Sequence, residues 1–248
     1  MHRIAIFSDV HANLPALNAV LGDIDERKPD AIYCLGDLVD FAPWPNEVIN
    51  IIRQRCIPTL MGNHDERIAF DLKATPLAKH SLAEQIARAQ AIEYTRKVIT
   101  EENKRYLGGL PKRLQLSFGG AHGANSVLLV HASTRNIDEY IFAEHPEDEL
   151  LDMFQDNKAN AIVMGHTHHA YVRSLGASGM LAVNTGSVGR SKEQSPLASY
   201  LMLSITDSQI MPELVRVPYP IDQTILGIRK SEIPNFYAEF LLASARTN

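Results

Sequence analysis

Nearly every short cluster of Asp, His and Asn in this chain falls immediately after an apolar, strand-like run. Asp9-Val10-His11 follows Arg3 to Ser8, Gly36-Asp37 follows Ala31 to Leu35, and Gly62-Asn63-His64-Asp65 follows Ile57 to Met61. His131 ends the run Ser126 to Val130, and Gly165-His166-Thr167-His168 ends Ala161 to Met164. A strand-end aspartate often caps the next helix and a lone histidine is usually a surface or hydrogen-bonded core residue, so no single cluster carries weight. Five clusters at the same ends of successive strands are hard to explain as independent caps. Ligands of parallel α/β sheets bind at the carboxyl ends of the strands, where these residues would converge.

The residue types indicate what would bind there. Carboxylates (Asp9, Asp37), an amide (Asn63) and imidazoles (His11, His131, His166, His168) suit borderline divalent ions such as manganese, iron or zinc. So many histidines do not fit an all-oxygen magnesium site. Residues two apart point the same way in extended chain, so Asp9 with His11, and His166 with His168, are each expected to address one metal region. Two metals sharing one carboxylate would sit about 3.5 to 4 Å apart. His169 extends the second pair but should point away from it, and His122, in the glycine-rich GGAHGAN, reads as a solvated loop residue.

The elements that must position these groups alternate. Leu14 to Arg27 repeats apolar residues at helical spacing, Asn46 to Arg55 is a second helix, and strand-then-helix order favours parallel strands with crossovers. From about 76 to 107 a charge-rich, helix-forming stretch with Leu82, Ile86, Ile92 and Val98 reads as a helical insertion. Arg113 to Phe118 and Ser126 to Val130 are expected to form a hairpin, and Glu147 to Phe154 a short helix. Leu181 to Asn184, Tyr200 to Ile205 and Ile210 to Val217 supply later strands. The tail from about 221 to 245 is amphipathic and helical, docked on the body or exchanged with another subunit, which leaves a homo-oligomer open. The chain reads as one domain, 1–248.

Composition sets outer bounds. With 248 residues, 45% of them hydrophobic and 21% charged, the chain has the make-up of an ordinary globular protein. A net charge of -5 and a pI near 6.1 give no global basic field, so nucleic acid and anionic membranes are not the default partners. Cys34 and Cys56 lie in apolar runs and not in a CxxC pair, and are expected to be buried free thiols. MHRIAIFSDV is too short an apolar run for a signal peptide, and nothing approaches the roughly 18 apolar residues of a membrane span. A cytoplasmic setting is the simplest expectation.

Taken in order, D-x-H, G-D, G-N-H-[DE], a lone His and G-H-x-H resemble the calcineurin-like metallophosphoesterase superfamily over the first two-thirds of the chain. The resemblance implies an α/β (α+β) fold, a four-layer α/β/β/α sandwich. It also implies a dinuclear phosphoesterase, with Asp9, His11 and His168 on one metal, Asn63, His131 and His166 on the other, and Asp37 bridging. His64 would stand free of metal beside the phosphate, with Asp65 orienting it and raising its pKa, while hydroxide held between the metals attacks phosphorus.

GDLVDFAPWPNEVI, VHASTR and NTGSVG look like a bacterial and archaeal group of small cytosolic phosphoesterases that act on phosphodiesters and dinucleoside polyphosphates. The implied partner is a small-molecule phosphate ester or nucleotide. The chain departs from the commoner wording at Asp40-Phe41-Ala42 and at Thr185, where a proline is usual. Arg135, and Arg190 with Lys192, are candidate contacts for a second phosphate or the leaving group. A serine/threonine protein phosphatase is an alternative, but its G-D-x-V-D-R-G and G-N-H-E meet Phe41 and Asp65 here. A non-catalytic scaffold like the retromer subunit is another, although every catalytic position is filled. A nuclease would call for a basic stripe or aromatic row that is not evident.

Overall fold

The first strand, β1 (His2–Phe7), sends Ile4 and Ile6 to one face and Ala5 and Phe7 to the other, and both faces are buried. A strand buried on two sides needs a layer on each, and this rule organises the molecule. The computed structural model describes all residues except 76–80, 121–122, 177–178 and 247–248. Its further strands are β2 (Ala31–Cys34), β3 (Arg113–Gly120), β4 (Gly123–Val130), β5 (Ala161–Met164), β6 (Tyr171–Leu175), β7 (Met180–Asn184), β8 (Ala198–Ile205) and β9 (Ile210–Val217). Two sheets result, ordered β2-β1-β8-β9 and β3-β4-β5-β7-β6.

Between the sheets lie Ile4, Ile6, Val127, Leu129, Val163, Leu201 and Leu203. Outside the first sheet, α1 (Leu14–Arg27) and α2 (Pro45–Gln54) cover Ala5, Phe7 and Tyr200. Outside the second, α6 (Glu147–Asn157) lays Leu150, Met153 and Phe154 on Leu128, Val130 and Ile162. The order is α/β/β/α, as the resemblance implies. Pairing is mixed: β1 with β2, β4 with β5 and β5 with β7 are parallel, the rest antiparallel.

The helix starts follow local chemistry. Asn13 accepts the Ala16 N–H at 3.2 Å to begin α1, Ser81 caps α4 (Leu82–Val98) and Thr100 caps α5 (Glu101–Gly108). The tail is two helices, α7 (Ile221–Arg229) and α8 (Phe236–Arg246), with Pro234 between them. It docks on its own chain, where Ile225, Ile228, Tyr237 and Leu241 pack with Phe41, Ala87 and Ala91 of α4.

Three expectations need correction. Ile57 to Met61 is not a full strand, because Pro58 has no N–H for a ladder; a single bridge, Thr59 to Cys34, remains. The edge strand β6, between GHTHH and β7, is not among the strands expected from the sequence. Cys34 is buried, but Cys56 is exposed in the turn after α2. No helix among the described residues is long and apolar enough to cross a membrane.

Candidate metal centre and active site

Strand ends of both sheets are stitched together before any side chain is considered. Asp9 N donates to Gly36 O (3.0 Å), His11 N to Asp37 O (2.9 Å) and Gly165 N to His131 O (2.8 Å). His166 N then crosses between the sheets to Asp9 Oδ2 (2.9 Å), and His64 N, in the first turn of α3 (Asn63–Ala69), donates to Asp37 Oδ1 (2.8 Å). Two glycines permit this closeness: a Cβ on Gly62 would stand 2.2 Å from Asp37 Oδ1, and one on Gly165 2.6 Å from Asp9 Oδ2.

The backbone here is held in an uncommon conformation. Asp9, His11, Asp37, Asp40, Phe41, His166 and His168 all have φ between 49° and 71°. Left-handed geometry costs about 1 to 3 kcal/mol for a non-glycine residue, and such residues gather at functional sites. It also breaks the two-residue parity expected of extended chain. Asp9 and His11 do share one group, with His168, but His166 swings into the other group, with Asp37 and His131. Within each group the possible ligand atoms lie within 4.8 Å of one another.

Proton positions follow from the partners. His11 Nδ1 faces Val39 O (3.0 Å), His131 Nδ1 faces Leu35 O (3.0 Å) and His168 Nδ1 faces Arg190 O (2.6 Å). A carbonyl only accepts, so each Nδ1 carries the proton and each Nε2 of a neutral ring presents a lone pair. His11 Nε2 and His168 Nε2 nevertheless face each other at 3.1 Å, with Asp9 Oδ1 3.8 and 3.3 Å from them. Asn63 Oδ1 lies 3.2 Å from His131 Nε2 and 3.1 Å from His166 Nδ1.

Asp37 Oδ2 stands 3.7 Å from His11 Nε2 and 3.6 Å from His131 Nε2, reaching one imidazole of each group. Asp9 Oδ1, Asp37 Oδ2 and His166 Nε2 are buried without a hydrogen-bond partner among the described residues. Acceptors converging on acceptors, with buried orphans, fit bound cations and little else. The mixed N and O donors fit two borderline divalent ions.

Electrostatics agree. Burial raises Asp9, but the imidazoles of His168, His131 and His11 outweigh it and hold the carboxyl well below its usual range. Asp37 goes the other way, pushed well up by burial and by the charge of Asp9. Burial, with Lys192 nearby, lowers His168 to about 4, and burial also lowers His11 and His166. All three rings are thereby kept neutral, the form that binds metal.

The sequence profile of the calcineurin-like phosphoesterase superfamily domain matches residues 2–208. The chain belongs to this superfamily. It is 34% identical over 253 residues to the uncharacterized protein MJ0912 of Methanocaldococcus jannaschii, covering 96% of each chain. A metallophosphoesterase from Sphaerobacter thermophilus is similar at a TM-score of 0.76 and 29% identity, over 98% of this chain and 99% of that one. The hypothetical protein PH1004 of Pyrococcus horikoshii shares the fold at a TM-score of 0.81 and 21% identity, over 97% and 98%.

In this calcineurin-like phosphoesterase the metal-side groups open into a cleft of about 250 Å³, lined also by His64, Arg67, Arg88, Tyr140, Arg190, Lys192 and Tyr237. Tyr237 lies on α8, beyond the span matched by the family. His64 is packed against His11 (ring centroids 5.1 Å apart), and its Nδ1–H donates to Asp40 Oδ2 at 2.6 Å. Asp40, and not Asp65, therefore orients it. The Asp65 carboxylate accepts the backbone N–H groups of Asp37 (2.7 Å), Leu38 (2.9 Å) and Gly62 (3.0 Å), because the third position of a helix points its side chain back at the turn before. Nor is the His64 pKa raised: burial, then Arg67, His11 and Arg88, push it well down. The available signal for Asp40 was an acid inside the otherwise apolar loop Leu38-Val39-Asp40-Phe41-Ala42.

Arg190 lines the cleft, its guanidinium 4.6 Å from the Phe41 ring and 4.8 Å from Phe240. Arg135 does not. It is tied to Glu139 (2.5 Å) and Glu149 (3.2 Å) in a separate hollow beside Lys112 and Ile137, an ordinary surface ion-pair cluster. His169 stays outside both donor groups, edge-on to Phe142, and His122 lies outside the described residues.

Replacing Asp65 with Ala strands three buried amides at about 1 to 3 kcal/mol each, so we expect a loss of at least about 3 kcal/mol, read as a lower urea midpoint. An unchanged midpoint with abolished turnover would return Asp65 to a catalytic role.

Proposed function

We propose that this phosphoesterase hydrolyses phosphodiesters or nucleotide polyphosphates with two divalent ions, manganese, iron or zinc. Asp9, His11 and His168 would hold one, Asn63, His131 and His166 the other, and Asp37 would serve both. The observation that carries this reading is Asp37 Oδ2, buried, unpartnered among the described residues and reaching one imidazole of each group. Divalent ions held there would supply a lowered pKa for bound water and positive charge toward the phosphoryl oxygens.

The chain's own residues do the rest. His64 lines the cleft and keeps its Nδ1 proton on Asp40, which leaves its other nitrogen for the substrate. An arriving phosphate adds negative charge beside the ring and favours a proton on that second nitrogen, which can then be given to the leaving oxygen. Arg190 supplies fixed charge for a further phosphate or the leaving group; the aromatic rings around it keep its planar fork in one orientation. We read the chain as one cytoplasmic domain acting on a small molecule.

The test is turnover of a phosphomonoester, an activated diester and a dinucleoside polyphosphate by manganese-loaded protein. The diester or polyphosphate should have the higher kcat/KM, and Arg190→Ala should lower it for the polyphosphate by about tenfold or more, the worth of one charge-assisted pair. Turnover of none of them would favour the scaffold alternative. A monoester preference unmoved by Arg190→Ala would overturn the substrate assignment.

A further inference from the structure

The cleft has a second charged wall that the metal-side donors do not account for. Arg67, one turn beyond His64 on α3, and Arg88, on α4, both line it and are almost enclosed, at 11% exposure for the Arg67 side chain and 9% for Arg88. A buried guanidinium is normally saturated with acceptors. Arg67 Nη1 is not, having no hydrogen-bond partner among the described residues. Its carboxylate neighbour, Asp40 Oδ2, is 4.0 Å away and already accepts from His64.

Arg88 gives one N–H to Thr75 O (2.9 Å). Burial and the charge of Arg67 both work against its own charge. The acids on this wall are drawn elsewhere: Glu66 bonds Lys112 (2.7 Å) and Glu84 faces Arg190 (3.9 Å), while Asp138 is exposed. Among the described residues, neither enclosed cation is hydrogen-bonded to a carboxylate. Charge held this way is costly unless something anionic completes it.

We propose that Arg67 and Arg88 form an anion subsite, beside Asp40 and His64, that takes a second phosphoryl group of the substrate. This rests on the phosphoester-hydrolase reading and narrows it. The His64 ring is near both: its centroid is 5.1 Å from that of His11, and its Nδ1 bonds Asp40, which stands 4.0 Å from Arg67 Nη1. A reacting phosphoryl group at the metals and a second one at the arginines would then flank the same imidazole. Guanidinium forks suit phosphoryl oxygens.

The second group can be joined in series, as in a polyphosphate, or through a spacer, as in a bisphosphate. Non-hydrolysable probes separate the two. Manganese-loaded protein, freed of excess metal, is titrated calorimetrically with methylphosphonate, methylenediphosphonate and 1,3-propylenediphosphonate. We expect one diphosphonate to bind at least about tenfold tighter than methylphosphonate, the worth of one or two charge-assisted hydrogen bonds. Whichever does so identifies the linkage. Arg67→Gln and Arg88→Gln should each remove most of that advantage. Arg88→Lys, which keeps the charge without the fork, should lose part of it and carries the test if the neutral variants fail to fold.

Equal affinity for all three probes, or an advantage kept in every variant, overturns the subsite. Turnover assays on the same protein keep the two readings apart. Hydrolysis without a diphosphonate advantage removes the subsite alone, whereas the advantage without hydrolysis of any phosphate ester removes the hydrolase reading.

Discussion

Asp37→Asn is expected to empty both halves of the proposed metal centre and to lower kcat/KM by something on the order of a thousandfold or more, since it would remove charge from both ions at once. The substitution is close to isosteric. Asparagine can still accept the His64 N–H through the oxygen that now does so at 2.8 Å. What changes is the second oxygen, which becomes an NH2 group aimed between His11 Nε2 and His131 Nε2, where a cation donor set cannot use it.

Metal content per chain by elemental analysis should fall well below two. His11→Ala and His131→Ala should each deplete chiefly one ion. Stability gives a second readout with the opposite sign. The charge of Asp9 and burial both oppose ionised Asp37, so in metal-free protein the neutral asparagine should raise the unfolding midpoint, or at least keep it. A variant that keeps both metals and full activity would remove Asp37 from its bridging place; one that loses metal only because it unfolds would show a lowered midpoint.

How far the site was legible before the structure depended on which physical rule each residue obeyed. Strand-end position needs only a short apolar run and a polar stop, so Asp9, Asp37, His131 and His166 could be gathered from sequence. Leu14–Arg27 was equally plain from its apolar spacing, and in the structure the Asn13 cap and the left-handed Lys28 bound it. Rules of chain direction failed where the backbone leaves the extended region. His166 and His168 fall in different groups and Asp9 and His11 in one, yet all four are left-handed, a state that the parity of extended chain does not describe.

Adjacency in sequence misled in the same way. Asp65 follows His64 directly, yet the helix turns it toward the amides of Asp37 and Leu38, and the partner arrives from Asp40, 24 positions earlier. Charge near a motif was no better guide. Arg135 sits four residues after His131 and is spent on glutamates, while Arg67 and Arg88, unremarkable in sequence, are brought into the cleft by α3 and α4.

His64→Ala should leave both metals in place and lower kcat by about a hundredfold or more, the usual worth of a positioned general acid or charge stabiliser. The ring lines the cleft with its Nδ1 fixed by a carboxylate, so its removal should be felt in turnover more than in KM. Asp40→Asn tests the orientation separately. Losing the carboxylate makes a protonated His64 less stable, so if that form gives the leaving oxygen its proton, the alkaline limb of the kcat profile must move to lower pH. Asp65→Asn should produce no such move, because its contacts are backbone amides and not the ring. Metal loss in proportion to activity in His64→Ala would make His64 a ligand, and an alkaline limb that follows Asp65 instead of Asp40 would restore the sequence-adjacent pairing.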